Sequence, residues 1–199
     1  MKINKTTLLT LAAVPLTALV IAAAISSREV SAKPIEETPN QQIIRGKYLA
    51  VYGGCNDCHT PLKMGSKGPE PDFSRMLSGH PESVKLPPPP KLDNSPWFAA
   101  TAGMTAWTGP WGISYAPNLT PDNATGLGIW TEEMFIQTMR TGKHMGNGRA
   151  ILPPMPWQSV GTLSDEDLKA LFAYLRSIPA IINHVPGPLA PDGKPMFPE

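Results

Sequence analysis

The stretch Cys55-Asn56-Asp57-Cys58-His59 holds the only two cysteines of the 199-residue chain. Two thiols separated by two residues and followed at once by histidine form C-x-x-C-H. Each thiol at that spacing adds across one vinyl group on the same side of a haem. The next residue then lies under the iron, which makes His59 the proximal ligand. Other uses of the pair fit less well. A dithiol redox centre belongs at a helix N-terminus in a βαβ context, and here the pair follows a predicted helix in surroundings that are not α/β. Zinc needs two further Cys or His ligands at knuckle spacing. A disulfide across two residues would constrain very little chain. The pattern therefore predicts one covalently bound haem c, with its iron.

A covalent cofactor also answers a problem of composition. The chain has 24 prolines and 17 glycines, which limits helix and sheet to a minority of residues. A small domain with few regular elements needs another source of cohesion. The net charge of +1, with only 17% charged residues, argues against a nucleic-acid partner.

Lys2 and Lys5 precede an apolar run over residues 8–25, and small residues follow. Residues 1–32 read as an export signal, cut after Ala24 or Ala32, or as an uncleaved N-terminal anchor that gives membrane contact. Either reading places the rest in the periplasm, soluble or tethered to the outer face of the cytoplasmic membrane. Residues 33–40 read as a linker, 41–182 as the haem domain and 183–199 as a Pro-rich tail along the surface.

Within the domain, Ile43, Ile44, Tyr48, Leu49 and Val51 predict a helix over 41–53. Residues 61–96 read as loop, with Pro87 to Pro90 extended. A short β-hairpin is open over 97–115. Thr131, Glu132, Glu133 and Gly142 bracket a helix over 131–140. Ser164, with Asp167 three residues on and Leu163 and Leu168 as a staple, starts the last helix, and Pro179 ends it.

The other face of the iron needs a ligand. Met155 lies in Leu152-Pro153-Pro154-Met155-Pro156-Trp157, where three prolines stiffen the backbone around a weak thioether donor. His144 is the second candidate. His80 and His184 fall in loops and read as solvated. Met134 and Met139 sit at helical spacing as core fillers. His59 with Met155 would close both axial sites, raise the potential relative to two histidines and favour electron transfer over chemistry at the iron.

With these residues in place the chain resembles the single-haem class I cytochromes c. It is most similar to the exported bacterial branch related to the cytochrome c subunits of alcohol and gluconate dehydrogenases. Arg45-Gly46-Lys47-Tyr48-Leu49-Ala50 with Cys55 to Thr60 carries the first part of that likeness. Ala116-Pro117-Asn118-Leu119-Thr120-Pro121-Asp122 and Thr125-Gly126-Leu127-Gly128-Ile129-Trp130-Thr131 carry the middle. Pro153-Pro154-Met155-Pro156-Trp157 and the helix over 163–179 carry the end.

The resemblance implies an all-α, cytochrome c-like fold of few helices around the haem; the chain departs from compact members of the family by a long Pro-rich insertion between His59 and Pro117. It implies that Gly46 lets the first helix cross the last near Leu171 and Tyr174. It also implies that the Pro117 carbonyl accepts the Nδ1 proton of His59 and that Leu119 packs on the haem. Trp130 or Asn118 would reach a propionate. Trp97, Phe98, Trp107 and Trp111 would cover a haem edge, fill a satellite core or form a docking face.

The implied function is an electron carrier rather than an enzyme. Its donor would be a dehydrogenase or quinol-oxidising complex, and its acceptor an oxidase or reductase. A haem subunit of a membrane dehydrogenase and a gas- or peroxide-reactive haem protein are the alternatives.

Overall fold

The computed structural model describes residues 37–90, 92 and 96–197. The export signal or anchor over 1–32 lies outside them, as does the start of the 33–40 linker.

Thr38 opens the first helix, α1 (Pro39–Tyr52), with a capping box. Its hydroxyl accepts from the Gln41 amide, and the Gln41 side chain accepts from the Thr38 amide at 2.9 Å. The helix thus begins inside the segment read as linker. Its inward face is Gly46 and Ala50, with Ile43 and Leu49 partly covered. Ile44, Tyr48, Val51 and Tyr52 face outward instead. The helical spacing was legible, but not which stripe is buried.

A five-residue helix, α2 (Cys55–His59), follows directly. Next comes a hairpin that the loop reading of 61–96 did not contain: β1 (Leu62–Gly65) pairs antiparallel with β2 (Gly68–Pro71). Pro69 and Pro71 are tolerated because a two-stranded ribbon is all edge. A 3-10 turn at Phe73–Arg75 follows.

The hairpin expected over 97–115 is present as part of a three-stranded antiparallel sheet. It comprises β3 (Ala99–Ala100), β4 (Ala106–Gly109) and β5 (Gly112–Tyr115), in the order β3-β4-β5. Trp107 is buried there, whereas Trp97 and Phe98 are exposed.

Helix α3 (Glu132–Thr141) begins at Thr131, whose hydroxyl accepts from the Met134 amide, and stops at Gly142 in the left-handed conformation. A short helix α4 (Trp157–Val160) precedes α5 (Asp165–Ser177). Ser164 caps α5 by accepting from the Asp167 amide. The reciprocal half of the expected capping box is replaced: Asp167 takes Arg45 of α1 as its partner at 2.7 Å. Such a partly exposed pair contributes about 1 kcal/mol at most.

The main packing is α1 against α5. A Cβ on Gly46 would lie 1.9 Å from the Ala170 carbonyl oxygen and 2.8 Å from the Tyr174 Cβ, so only glycine permits this crossing. Leu168, Leu171, Phe172 and Leu175 of α5 meet Phe135, Ile136 and Met139 of α3 in one core, together with Ala50 and Leu77. Full burial of each large side chain contributes roughly 1.5–3 kcal/mol. The fold is therefore mainly helical, with two small antiparallel sheets among the described residues.

The tail does more than lie along the surface. Leu189 exchanges two backbone hydrogen bonds with Ile113 of β5, at 2.8 and 3.0 Å. Asn183 is fully buried and donates through Nδ2 to the carbonyls of Ser78 and His80 at 2.7 and 2.9 Å. These side-chain and backbone bonds stitch the chain's end to its middle.

Candidate functional site

The cysteine pair opens its own short helix, which puts Cys55, Cys58 and His59 on little more than one turn. Both thiols are free and half-buried. Burial is the main cause raising both. It pushes the Cys55 thiol up to about 11, and Cys58 is also raised. A dithiol redox centre needs the opposite, a lowered pKa that keeps a thiolate at neutral pH. Among the described residues, no three His, Cys, Asp or Glu side chains group as a metal cage.

His59 is buried, and burial holds its pKa below the usual imidazole value. Its Nδ1 lies 2.9 Å from the Pro117 carbonyl oxygen. A carbonyl only accepts, so Nδ1 carries the proton and Nε2 presents a lone pair. Among the described residues Nε2 has no hydrogen-bond partner. This is the tautomer a metal-bound histidine adopts when a backbone carbonyl orients it.

The backbone around Pro117 is fixed from several sides. Gly79 donates to the His59 carbonyl at 2.8 Å, and His80 donates to the Ala116 carbonyl at 2.9 Å. Gly79 has φ +79°, and a Cβ there would sit 2.6 Å from the Pro117 oxygen that receives His59. A side chain at 79 would therefore disturb the histidine's orientation. The Thr60 hydroxyl accepts from the Leu77 amide at 2.9 Å and ties the same loop to the end of α2.

Sequence reasoning missed this role of the 75–80 segment. It also placed His80 in solvent, which the structure corrects. His80 is 1% exposed, packs on Tyr115 and has Nδ1 2.9 Å from the Thr105 hydroxyl. The nearby glycine at 79 was the available signal. His184 is exposed, as expected.

Leu119, Met155, Trp130 and Cys55 are all partly buried and pack against the same core cluster. The structure thus brings the second-ligand candidate to the core that also receives Cys55. Met155 lies beside a cavity of about 350 Å³, lined also by Pro153, Pro154 and Trp157. The Met loop is anchored where Ser114 donates to the Pro153 carbonyl at 2.6 Å. His144 stacks edge-on against Trp130, ring centroids 5.0 Å apart.

Asn118 has no amide group left for a propionate. Its Nδ2 donates to Thr125 and to the Ile181 carbonyl, and its Oδ1 accepts from the amide and hydroxyl of Thr120. It is a structural clasp, which corrects the expectation for that residue.

The Cytochrome c family model matches residues 43–179, more than half of the chain. The chain belongs to the cytochrome c family. This cytochrome is 29% identical to the fructose dehydrogenase cytochrome subunit of Gluconobacter japonicus, over 80% of its own length and 26% of that subunit. It is 29% identical to the gluconate 2-dehydrogenase cytochrome c subunit of Pantoea cypripedii, over 78% of its own length and 27% of the relative. It is also 29% identical to the cytochrome c subunit of the quinone-dependent alcohol dehydrogenase of Gluconobacter oxydans, over 77% of its own length and 25% of that subunit. The cytochrome therefore spans about a quarter of the length of these relatives.

Membership implies covalent haem c and electron transport. The residues present fit that group: two free thiols and an oriented imidazole stand on one short helix, beside apolar side chains. Among the described residues no helix is long and apolar enough to cross a membrane.

Proposed function

We propose that this cytochrome holds one haem on Cys55 and Cys58, with His59 and Met155 as axial ligands, and shuttles single electrons outside the cytoplasm. Its partners are redox proteins: a dehydrogenase or quinol-oxidising complex as donor, and an oxidase or reductase as acceptor. The observation that carries this reading is the Pro117 carbonyl on His59 Nδ1, which fixes the imidazole and leaves Nε2 as a donor. When bound, the haem supplies a reversible one-electron couple.

The chain's own residues set the terms of that couple. Pro117, locked between Gly79 and His80, keeps the imidazole from rotating. Leu119 and Trp130 exclude water from the core side. Met155, on a loop with prolines at 153, 154 and 156, presents a soft thioether that favours the ferrous state. Residues 1–32 direct export or anchor the domain.

Carbon monoxide tests the closed site. The ferrous wild type is expected to bind it poorly, and Met155→Ala to bind it readily. Ready binding by the wild type would refute His59/Met155 closure and favour a gas- or peroxide-reactive protein.

The named relatives are cytochrome subunits of dehydrogenases. They favour a second reading, in which the chain works as the haem subunit of such a complex. Co-purification of the native protein with a dehydrogenase in stoichiometric amount supports that reading. A freely monomeric native protein refutes it.

A further inference from the structure

Leu77 holds a conformation that a bulky residue rarely adopts. Its φ is +59° and its side chain is fully buried. Such a residue stays in place only where its surroundings over-determine it. Here the Leu77 amide donates to the Thr60 hydroxyl, and the Leu77 carbonyl accepts from the Leu119 amide, both at 2.9 Å. Thr60 follows His59, and Leu119 lies just past Pro117. Gly79 then donates to the His59 carbonyl and His80 to the Ala116 carbonyl. Residues 77–80 thus clamp together the two chain segments that meet in the His59–Pro117 hydrogen bond.

The side chain of Ser78 does not hold this clamp. Its hydroxyl is buried and has no partner among the described residues. The carbonyls of Ser78 and His80 instead take their hydrogen bonds from Asn183 Nδ2, at 2.7 and 2.9 Å. Among the described residues no backbone amide donates to either. Asn183 Oδ1 accepts from the Arg75 guanidinium at 2.9 Å and from the Glu82 amide at 3.0 Å. One buried side-chain amide therefore uses both donors and both lone pairs, and it grips the loop on either side of Leu77 and Gly79. The Asn183 backbone N–H donates to the Thr125 hydroxyl at 3.1 Å, and that hydroxyl also accepts from Asn118 Nδ2 at 3.1 Å. Asn118 follows Pro117 directly. Asn183 thus reaches Pro117 by two routes, through the clamp and through Thr125.

Resting on the haem reading above, we propose that Asn183 is a positioning residue for the iron's histidine. From the tail it fixes the 77–80 clamp, holds the Pro117 carbonyl on His59 Nδ1 and so tunes the ferric/ferrous balance. A hydrogen bond from Nδ1 to a carbonyl makes the imidazole a more basic ligand. A more basic ligand favours ferric iron, which carries the greater charge. Loosening the clamp weakens that bond and shifts the balance toward ferrous.

The test uses the haem-loaded full chain with Asn183→Ala and Asn183→Asp. The aspartate keeps an acceptor for Arg75 and the Glu82 amide but has no donor for the two carbonyls, so it preserves the fold where alanine does not. Leu189→Pro is the control: it removes the tail's hydrogen bond to the Ile113 carbonyl and leaves Asn183 in place. Proton NMR in heavy water reads the exchange of the His59 Nδ1 proton, and equilibration with a redox mediator reads the ferric/ferrous ratio. Asn183→Ala is expected to speed the exchange about tenfold or more and to shift the ratio about threefold toward ferrous. Asn183→Asp is expected to speed the exchange likewise, and Leu189→Pro to leave both readings as in the wild type. Unchanged exchange in the two Asn183 variants overturns the proposal. Equal acceleration in Leu189→Pro also overturns it, because any loosening of the tail would then suffice. Faster exchange with an unmoved ratio in Asn183→Ala overturns the tuning. Haem staining after denaturing electrophoresis separates the two readings: a wild type without haem sinks the haem assignment and this role with it, whereas retained haem with unchanged exchange sinks only the role of Asn183.

Discussion

Replacing Gly46 by alanine adds one methyl group at the tightest point of the helix crossing. The new Cβ would stand 1.9 Å from the Ala170 carbonyl oxygen, 2.5 Å from its carbon and 2.8 Å from the Tyr174 Cβ. An ordinary contact needs about 3.4 Å, so α1 and α5 must separate by about 1.5 Å. No rotamer change relieves a clash with backbone. The cost therefore falls at the upper end of overpacking, about 3 kcal/mol. Alanine returns about 1 kcal/mol through helix propensity. The net loss is about 2 kcal/mol, which lowers the Tm by about 4–8 °C for a chain of this size. Thermal unfolding of the haem-loaded protein by far-ultraviolet circular dichroism measures it. Gly187→Ala is the control, since nothing lies within 4 Å of a Cβ there. That change is expected to be neutral or slightly stabilising. A Gly46→Ala variant as stable as the wild type would refute the claim that this crossing depends on glycine.

Asn183→Leu should be more severe. It strands the carbonyls of Ser78 and His80, the Glu82 amide and the Arg75 guanidinium, and urea unfolding should show a loss of at least about 3 kcal/mol. Burial holds the His80 and His144 pKa values below 6.5. The unfolded chain therefore binds protons more readily than the folded one. Stability from these groups is fully present above about pH 6.5 and is lost as pH falls below it. The Tm should drop between pH 7 and 5, and His80→Gln should flatten part of that slope; an unchanged slope would remove His80 from the account.

Much of the site was legible because its chemistry is local. C-x-x-C-H spans five residues, and the caps at Thr131, Gly142 and Ser164 act within a turn; the role of Gly46 came from the family resemblance. What was not legible depends on partners distant in sequence. His80 is buried because Thr105 and Tyr115 enclose it. Asn183 is a hub because the loop carrying Ser78 and His80 lies beside the tail. The outward stripe of α1 could not be told from the inward one, since Ile44 and Ile43 are equally apolar and only contact with α5 decides between them. The first hairpin was hidden by Pro69 and Pro71, which mark loops in a central strand but fit a two-stranded ribbon.

The ferric absorption spectrum tests the central claim most directly, compared between wild type and Met155→Ala after haem attachment. A low-spin c-type spectrum with the weak long-wavelength iron–sulfur band is expected in the wild type. The band should vanish in Met155→Ala while the haem stays attached. Absence of the band from the wild type, or its survival in the variant, would contradict ligation by His59 and Met155.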